Sequence, residues 1–286
     1  MRITALLENT TQNPDMQIEH GLSLYIEAKG KKILFDMGQT DLFAKNAEKL
    51  GIDLTEIDFA VLSHGHYDHG GGLETFFKIN HTAPVYITKY AFEPHFHGRE
   101  KYIGLDGSIY QTNKDRFIIT STENPIGDGM SLFNCKGNPL VYKPRTEGFY
   151  VALPKDKNKD SYVSDVFFKN QEDYEFIQDD FRHEQYFMIE GDKTVLFSGC
   201  SHKGILNIAS WCNVDYLIGG FHYKNLDLTQ ENARKELDEA SKILNNYKTK
   251  FYTCHCTGTE QYEYLKKQMG EKLDYLSTGR TIELPL

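Results

Sequence analysis

The sequence predicts an α/β fold built from mixed sheets with helices packed outside them. Short apolar runs of strand length alternate along the chain with longer segments in which apolar residues recur every three or four positions. Near residues 62–69, 197–202, 218–222 and 252–258, a strand pattern ends in glycine beside histidine, cysteine or aspartate. Because open sheets carry their sites on loops at the carboxyl ends of strands, these four places predict one functional edge.

Composition restricts the class of protein. The 286 residues are 40% hydrophobic, enough for a packed core, and no break in composition marks a linker, so we predict one domain over residues 1–286. A net charge of −9 without a basic tract argues against nucleic acid as the main partner. No apolar run approaches the length of a membrane span. The sequence does not indicate an oligomeric state.

Cysteine usage and the N-terminus favour a cytoplasmic location. The five cysteines are too few and too scattered for a disulfide framework. The first residues, Met1 to Glu8, lack the apolar core and the small-residue cleavage site of a signal peptide. A reducing cytoplasm is therefore expected.

In the N-terminal half, alternating apolar residues and turn signals predict five strands and two helices. The Asn13-Pro14-Asp15 run is a breaker, and Lys29-Gly30-Lys31 forms a hairpin turn. Strands are expected at residues 2–7, 22–27, 32–35, 59–62 and 84–88, and helices at residues 40–50 and 73–79.

From about residue 90 to residue 180 the pattern weakens, and only residues 117–119 and 149–153 are strand-like. So long a stretch between clear elements predicts an insertion that forms part of the rim over the site. Its histidines and cations could meet an anionic substrate or form a solvated face; they are His95, His97, Arg99, Lys143 and Arg145.

Regular patterns return in the C-terminal part. Strands are predicted at residues 186–189, 195–197, 214–218, 251–253 and 281–284, and helices at residues 204–212, 227–247 and 259–269. In the longest of these helices Asp227 and Gln230 have the spacing of a capping box.

A metal loop is predicted directly after the strand at residues 59–62. Four side chains that can bind metal lie within six residues, namely His64, His66, Asp68 and His69. On an extended segment His64, His66 and Asp68 share a face, and His69 points towards a second, adjacent ion. Imidazole and carboxylate together suit zinc, with iron and manganese as alternatives. One more histidine from elsewhere would complete a three-histidine ion with an open position for water.

The His-x-His-x-Asp-His pattern after a strand resembles the signature of the metallo-β-lactamase superfamily. The resemblance implies an αβ/βα sandwich, in which two mixed sheets lie face to face with helices outside. It also implies two divalent ions at one edge and a late histidine ligand, which His255 matches. The Ile-Leu-Phe-Asp-x-Gly run implies that Asp36 orients a ligand histidine.

The middle of the ligand set is open at this stage. Cys200 ends a strand where most members of the superfamily carry aspartate and some carry cysteine, which implies a thiolate ligand, and His183 could supply the upstream histidine. The Gly-Cys-Ser-His run instead resembles the subgroup of dihydropterin-ribofuranosylaminobenzene-phosphate synthases, which favours His202. We rank His202 first, Cys200 second and His183 third. The alternative for Cys200 is a small buried hydrophobic residue.

Three further stretches match the same subgroup, namely residues 19–24, residues 219–222 and residues 255–258. From them we assign His20 and His222 to substrate binding. His222 could instead be a strand-end histidine satisfied by the backbone.

These features predict a metal-dependent hydrolase that uses a metal-bound hydroxide on a small phosphoester, lactone or related ester. Asp68 would orient the nucleophile or take its proton. The subgroup resemblance implies an alternative, group transfer on a pterin-linked, phosphorylated small molecule. A metal-binding redox or sensor protein is a further alternative, but oxygen-reducing relatives usually carry glutamate at the position of His66.

Overall fold

The structure is a computed structural model that describes residues 1–135, 137–156 and 164–286. Its strands are numbered in chain order: β1 (Arg2–Leu7), β2 (Ser23–Ala28), β3 (Lys31–Phe35), β4 (Phe59–Val61), β5 (Val85–Thr88), β6 (His95–His97), β7 (Lys101–Tyr102), β8 (Phe117–Thr120), β9 (Glu123–Gly127), β10 (Met130–Phe133), β11 (Phe149–Pro154), β12 (Tyr174–Gln178), β13 (Tyr186–Glu190), β14 (Thr194–Phe197), β15 (Tyr216–Ile218), β16 (Lys250–Thr253), β17 (Leu273–Tyr275) and β18 (Thr281–Glu283). The α-helices are α1 (Leu42–Lys49), α2 (Tyr67–Gly70), α3 (Leu73–Ile79), α4 (Gly107–Thr112), α5 (Ser164–Lys169), α6 (Ile205–Trp211), α7 (Glu231–Asn245) and α8 (Thr259–Met269).

Two seven-stranded mixed sheets form the middle layers. The first has the order β18-β1-β2-β3-β4-β5-β8, and the second has the order β17-β16-β15-β14-β13-β10-β9. Strands β3, β4, β5 and β8 run parallel in the first sheet, as do β14 to β17 in the second. The carboxyl ends of the parallel strands therefore meet along one edge of each sheet.

The main hydrophobic core lies between the two sheets. Phe35 of β3 faces Phe197 of β14 with their ring centroids 5.7 Å apart, and Phe59 of β4 meets Phe187 of β13 edge-on at 6.0 Å. Edge-to-face aromatic pairs are favourable beyond the area that they bury. The contacts hold the two sheets face to face.

Helices cover the outer face of each sheet. Phe43 of α1 and Phe76 of α3 are fully buried in a cluster against the first sheet. Leu237 of α7 and Leu265 of α8 are fully buried in a cluster against the second sheet. Strands covered on both faces read as continuous apolar runs, which is why their patterns were visible in the sequence. The predicted αβ/βα architecture is confirmed.

The stretch from residue 90 to residue 180 contributes strands to three sheets. Strand β8 extends the first sheet and β9 and β10 extend the second, while β12-β11-β6-β7 form a separate four-stranded sheet. The separate sheet has a small aromatic core that includes Phe96 and Phe167. The strands are two to six residues long, too short for a strong sequence pattern.

Helix α7 begins later than the sequence predicts. The Asp227 carboxylate accepts hydrogen bonds from the amide and hydroxyl of Thr229, so it closes a local turn instead of capping the helix. Gln230 then occupies the N-cap position with extended backbone. With 15 residues α7 is the longest described helix, and none of the described helices has the length and apolarity to span a bilayer.

Candidate metal centre

The loop after β4 delivers four potential ligands to the edge where the two sheets meet. The backbone of His66 is extended, whereas the chain bends at His64, and both side chains are buried. The chain becomes helical at Tyr67, so the alternation predicted through Asp68 ends at His66. Asp68 and His69 instead lie on the single turn of α2 and point towards different partners.

Three loops of the second sheet reach the same edge. Cys200 and His202 follow β14, His222 follows β15, and His255 follows β16. Gly199 makes the close approach possible, because a Cβ there would collide with Ser63 of the metal loop. His222 and His255 have φ angles of 59° and 50°, a left-handed conformation that is uncommon for histidine and is often found at functional sites.

The side chains form two adjoining donor groups, each with its ligand atoms within 4.8 Å of one another. The three-histidine group contains His64, His66 and His202, and the mixed group contains Asp68, His69, Cys200 and His255. Short separations link the members of each group: His64 Nε2 lies 3.1 Å from His66 Nδ1, and His69 Nε2 lies 3.1 Å from Cys200 Sγ. The sequence predicts two loop histidines and one from elsewhere around one ion, with Asp68 and His69 beginning a second ion, and the side chains are grouped in this way.

Hydrogen bonds on the outer side of the site set the tautomers of three histidines. His69 Nδ1 donates to Asp36 Oδ2 at 2.6 Å, and His255 Nδ1 donates to Asn9 Oδ1 at 2.9 Å. His64 Nδ1 donates to the hydroxyl of Ser63 at 2.8 Å. With the proton assigned to Nδ1 by its partner, each ring directs an Nε2 lone pair inward. Asp36 thus orients one of the histidines that the sequence predicts as ligands.

The inward-facing nitrogens fit a pair of divalent cations. His202 is buried, and neither of its ring nitrogens has a hydrogen-bond partner among the described residues. Burial and the neighbouring imidazoles lower the pKa of His64 and His202 well below the ordinary value, which keeps the rings neutral as metal binding requires. Buried polar atoms without partners are costly, so a cation that accepts their lone pairs fits this donor set.

The mixed group has an electrostatic environment that favours positive charge. Burial alone would lower the pKa of His69, but the carboxylates of Asp36 and Asp68 raise it to about 9. Burial opposes ionisation of Asp68, yet His69 and His255 hold the pKa of its carboxyl group well below the usual range. A divalent cation in the mixed group would therefore be stabilised by the negative charges of Asp36 and Asp68.

Glu184 and Phe181 shape the loop that carries His202. The buried Glu184 carboxylate accepts hydrogen bonds from the backbone amides of His202 at 2.6 Å and Lys203 at 3.1 Å. The ring of Phe181 stacks on His202 at 4.2 Å with an interplanar angle of 11°. Backbone and ring of His202 are therefore both fixed from outside the donor group.

His183 lies apart from both donor groups. The amide of Gly65 donates to His183 Nδ1 at 2.9 Å, and His183 Nε2 lies 3.3 Å from Asp179 Oδ2. His183 belongs to a third buried cluster, with His66, His95 and Asp179. The structure thus brings His202, and not His183, to the other two members of the three-histidine group.

A cleft of about 240 Å³ opens over the donor groups. Its lining includes both predicted substrate-binding residues, His20 and His222. His20 Nε2 lies 3.2 Å from Asp68 Oδ2, and the His20 ring packs against His255 at 4.8 Å. His222 packs against His202 at 4.4 Å, and within the described part of the chain its buried Nδ1 has no hydrogen-bond partner. His222 could therefore also act as a donor beside Cys200 and His202.

Basic residues surround the mouth of the cleft. Lys101, Lys224 and His97 line it and are exposed to solvent. Among the described residues, neither lysine forms an ion pair with a carboxylate. Sequence reasoning missed both lysines because an isolated lysine carries no motif.

The other predicted anion-binding candidates lie elsewhere. Lys143 pairs with Glu147, Arg145 pairs with Glu236, and Arg99 packs over the ring of Tyr150. His95 is fully buried in the third cluster. Of the five candidates, His97 is the one that lines the cleft.

Glu8 and Asn9 are further residues that sequence reasoning missed. Glu8 is fully buried and accepts hydrogen bonds from the amide of His255 at 3.0 Å and the hydroxyl of Tyr275 at 2.9 Å. Both residues follow β1, so they repeat the pattern of polar residues at a strand end. That pattern was the signal that could have identified them.

Comparison with known proteins places the geometry in context. The family model described as the metallo-beta-lactamase superfamily matches residues 18–239. An uncharacterized protein of Methanocaldococcus jannaschii, MJ0448, is 28% identical over 266 residues, which cover 90% of each chain. The 7,8-dihydropterin-6-methyl-4-(beta-D-ribofuranosyl)-aminobenzene-5'-phosphate synthase of the same organism is 27% identical over 284 residues, covering 93% of this chain and 90% of the relative.

Among solved structures, Tm1679, described as a metal-dependent hydrolase of the beta-lactamase superfamily, superimposes with a TM-score of 0.76. It is 28% identical to this chain, and the match covers 99% of both chains.

Proposed function

The chain belongs to the metallo-beta-lactamase superfamily, and we propose that it is a metal-dependent hydrolase of a small anionic ester, with a phosphoester as the first candidate. The observation that carries this proposal is the position of two metal-competent donor groups on the floor of a cleft with lysines at its mouth. Lactones and related esters are the next candidates.

The His64–His66–His202 group and the Asp68–His69–Cys200–His255 group would hold the two cations, with zinc as the first choice. Bound divalent ions would supply a Lewis acid for the scissile group and lower the pKa of water, from about 16 to about 7 in the case of zinc. Five histidine nitrogens and one cysteine sulfur favour zinc over harder cations such as magnesium.

Asp68 is the proposed acceptor of the proton that the attacking water loses. Its Oδ2 lies 3.3 Å from His255 Nε2 and 3.2 Å from His20 Nε2, at the boundary between the donor groups and the cleft. The neighbouring imidazoles keep this carboxylate ionised and hence able to orient water. His20 would then move a proton from Asp68 into the cleft, since its half-exposed ring lines the cleft and lies 3.2 Å from Asp68 Oδ2.

The basic mouth of the cleft supports an anionic substrate. Lys224 Nζ lies 3.5 Å from His20 Nδ1, and Lys101 and His97 line the same opening. Because the whole chain carries a net charge of −9, this group of basic residues at the opening is a local exception. Lysines bind phosphate groups as point charges, and His222 could donate to a phosphate oxygen deeper in the cleft.

Purified protein should be analysed for bound metals and then assayed on a chromogenic phosphodiester, a phosphomonoester and a lactone. We expect two divalent ions per chain and turnover that stops on chelation and returns when metal is added. Activity that survives complete removal of the metal would overturn the proposal.

Group transfer is the second candidate, and a second cavity favours it. A cavity of about 470 Å³ adjoins the cleft across His222, which lines both spaces. A transferase needs room for an acceptor other than water, and this cavity offers it. Incubation with a phosphorylated pterin substrate and an aminobenzene acceptor distinguishes the two reactions, because transfer gives a joined product while hydrolysis gives the free alcohol or acid.

A further inference from the structure

A third buried cluster, outside the two donor groups, lies beside the metal loop. It consists of His95 from β6, Asp179 after β12 and His183 before β13, and we call these three residues the inner cluster. The three side chains are 0%, 3% and 0% exposed. Asp179 Oδ2 accepts a hydrogen bond from His95 Nδ1 at 2.9 Å and lies 3.3 Å from His183 Nε2, which has no hydrogen-bond partner among the described residues, so the carboxylate faces both rings.

His183 ties the inner cluster to the backbone of the metal loop. The amide of Gly65 donates to His183 Nδ1 at 2.9 Å, which assigns the remaining ring proton to Nε2, on the side of Asp179. Gly65 lies between His64 and His66, and a Cβ at this position would collide with the carbonyl of Ala91. The metal loop thus packs closely against Ala91, and its Gly65 amide is fixed by the hydrogen bond to His183.

His66 faces the inner cluster with its free nitrogen. Its Nδ1 lies 3.1 Å from His64 Nε2 within the three-histidine group, whereas its buried Nε2 has no hydrogen-bond partner among the described residues. The ring of His66 packs 5.2 Å from His183 and 5.7 Å from His95. One polar atom from each of His66, His95, Asp179 and His183 lies within 4.8 Å of the others.

Asp179 also supports the third histidine of that group. Its Oδ1 accepts a hydrogen bond from the amide of Phe181 at 2.7 Å. Phe181 has a φ of 52°, an uncommon conformation for a bulky residue, and its ring stacks on His202 at 4.2 Å. The Asp179 carboxylate therefore lies close to His66 and, through Phe181, also supports the ring of His202.

We propose that Asp179 is a positioning residue that sets the affinity and ligand geometry of the ion held by His64, His66 and His202. This inference depends on the proposed metal centre. When His66 Nδ1 binds an ion, its Nε2–H faces the negative charge of Asp179, which orients the ring and increases its basicity. The hydrogen bond that the Phe181 amide donates to Asp179 keeps the Phe181 ring stacked on His202.

The alternative for the inner cluster is a third ion, and the hydrogen bonds argue against it. His183 would have to offer Nε2 as a lone pair while Nδ1 still accepts from Gly65, so its ring would lose both protons. His66 would likewise bridge two ions as an imidazolate. The inner cluster is thus better suited to holding protons than to binding metal.

Cobalt substitution tests the proposal. The metal-free full-length protein is titrated with Co²⁺, and visible spectra and stepwise affinities are compared for wild type and Asp179→Asn. We expect two ions in both proteins, with one of them bound about 10- to 100-fold more weakly in Asp179→Asn and with its absorption bands shifted. The other ion should be unaffected.

Glu93→Gln is the matched control. Glu93 is a buried carboxylate in the same region that pairs with Arg182 and makes no hydrogen bond to a histidine ring. We expect it to lower the melting temperature without moving the cobalt bands. If Asp179→Asn does not fold, His95→Gln replaces it, because it removes one partner of the carboxylate and should give a smaller change of the same kind.

Several results would overturn the inference. They are a third ion in the wild type that Asp179→Asn loses, unchanged spectra and affinities in Asp179→Asn, and equal changes in Asp179→Asn and Glu93→Gln. A wild type that binds no Co²⁺ would refute the metal centre itself, whereas a wild type that binds two with an unchanged Asp179→Asn would refute this inference alone.

Discussion

The Nε2 atoms of His69 and His255 face each other across 3.2 Å. The other nitrogen of each ring donates outward, to Asp36 and to Asn9, so the two facing Nε2 atoms are the ones that can bind a cation. The carboxylates of Asp36 and Asp68 raise the pKa of His69 and so favour positive charge here, and a divalent cation would replace the proton between the rings. Residues from α2 and from the end of β16, 186 positions apart in the chain, thus form the two sides of one site.

Replacement of His66 should affect metal content and turnover together. His66→Ala removes one of the three imidazoles of its group, so we expect one divalent ion per chain to be lost. Turnover should fall by more than about 100-fold, because losing a residue that only supports a ligand already costs up to about 100-fold. Elemental analysis and the phosphodiester assay measure the two effects. His81→Ala, which changes an exposed histidine, is the control; unchanged metal content in His66→Ala would mean that the site is misplaced.

Cys200 should act as a ligand and not as a small core residue. Its thiol lies 3.1 Å from His69 Nε2, and burial raises its pKa well above the ordinary value, so binding of a cation would have to release its proton. Cys200→Asp should keep two ions per chain, because a carboxylate can replace the thiolate, while Cys200→Ala should weaken one of them. Metal titration tests this, with Cys212→Ala as the control. Equal metal affinities in Cys200→Ala and wild type would show that Cys200 is a buried core residue and not a ligand.

Removal of Lys224 should weaken binding of anionic substrates selectively. Lys224→Ala removes one charge-assisted hydrogen bond of about 1.5 kcal/mol, so we expect KM for a phosphoester to rise about tenfold with a smaller change in kcat. A neutral lactone should be affected little. Lys248→Ala, which changes a lysine paired with Asp215, is the control. Equal effects of Lys224→Ala on charged and neutral substrates would contradict an anion-binding role.

The Asp274–Arg280 pair should make stability depend on pH. Arg280 binds both carboxylate oxygens of Asp274, at 2.8 and 3.2 Å. Burial opposes ionisation, but Arg280 and the amide of Tyr275 lower the pKa of Asp274 below its usual value. The stabilisation is therefore fully present above the unfolded-state pKa of about 4 and is lost as pH falls through the lower folded-state pKa.

Chemical denaturation of wild type and Asp274→Asn at several pH values checks this expectation. The pair is partly exposed, so the difference in unfolding free energy should be about 1 kcal/mol or less at pH 7 and should shrink towards zero in acid. A difference that grows as the pH falls would contradict the sign. Asp192→Asn, which changes an exposed carboxylate in the turn between β13 and β14, serves as the control.

The positions of many elements could be predicted from the sequence because they depend on local patterns. Strand β5, helix α3 and helix α8 lie within a residue or so of their predicted bounds, since burial of apolar residues at periods of two or 3.6 is a local requirement. The stretch around β6 to β12 was not predicted in this detail. Its strands are short, and their pairing depends on partners far away in the chain.

The sequence by itself determined that His64, His66, Asp68 and His69 lie together, because six consecutive residues on a strand and its following turn cannot separate. It also determined the α/β class, through the alternation of strand and helix patterns. Only the tertiary structure decided that His202 joins His64 and His66 while His183 supports the loop from behind. The spacing of residues along a chain does not specify which nitrogen a ring turns inward, since that depends on hydrogen-bond partners such as Asp36, Asn9 and Gly65, which folding brings together.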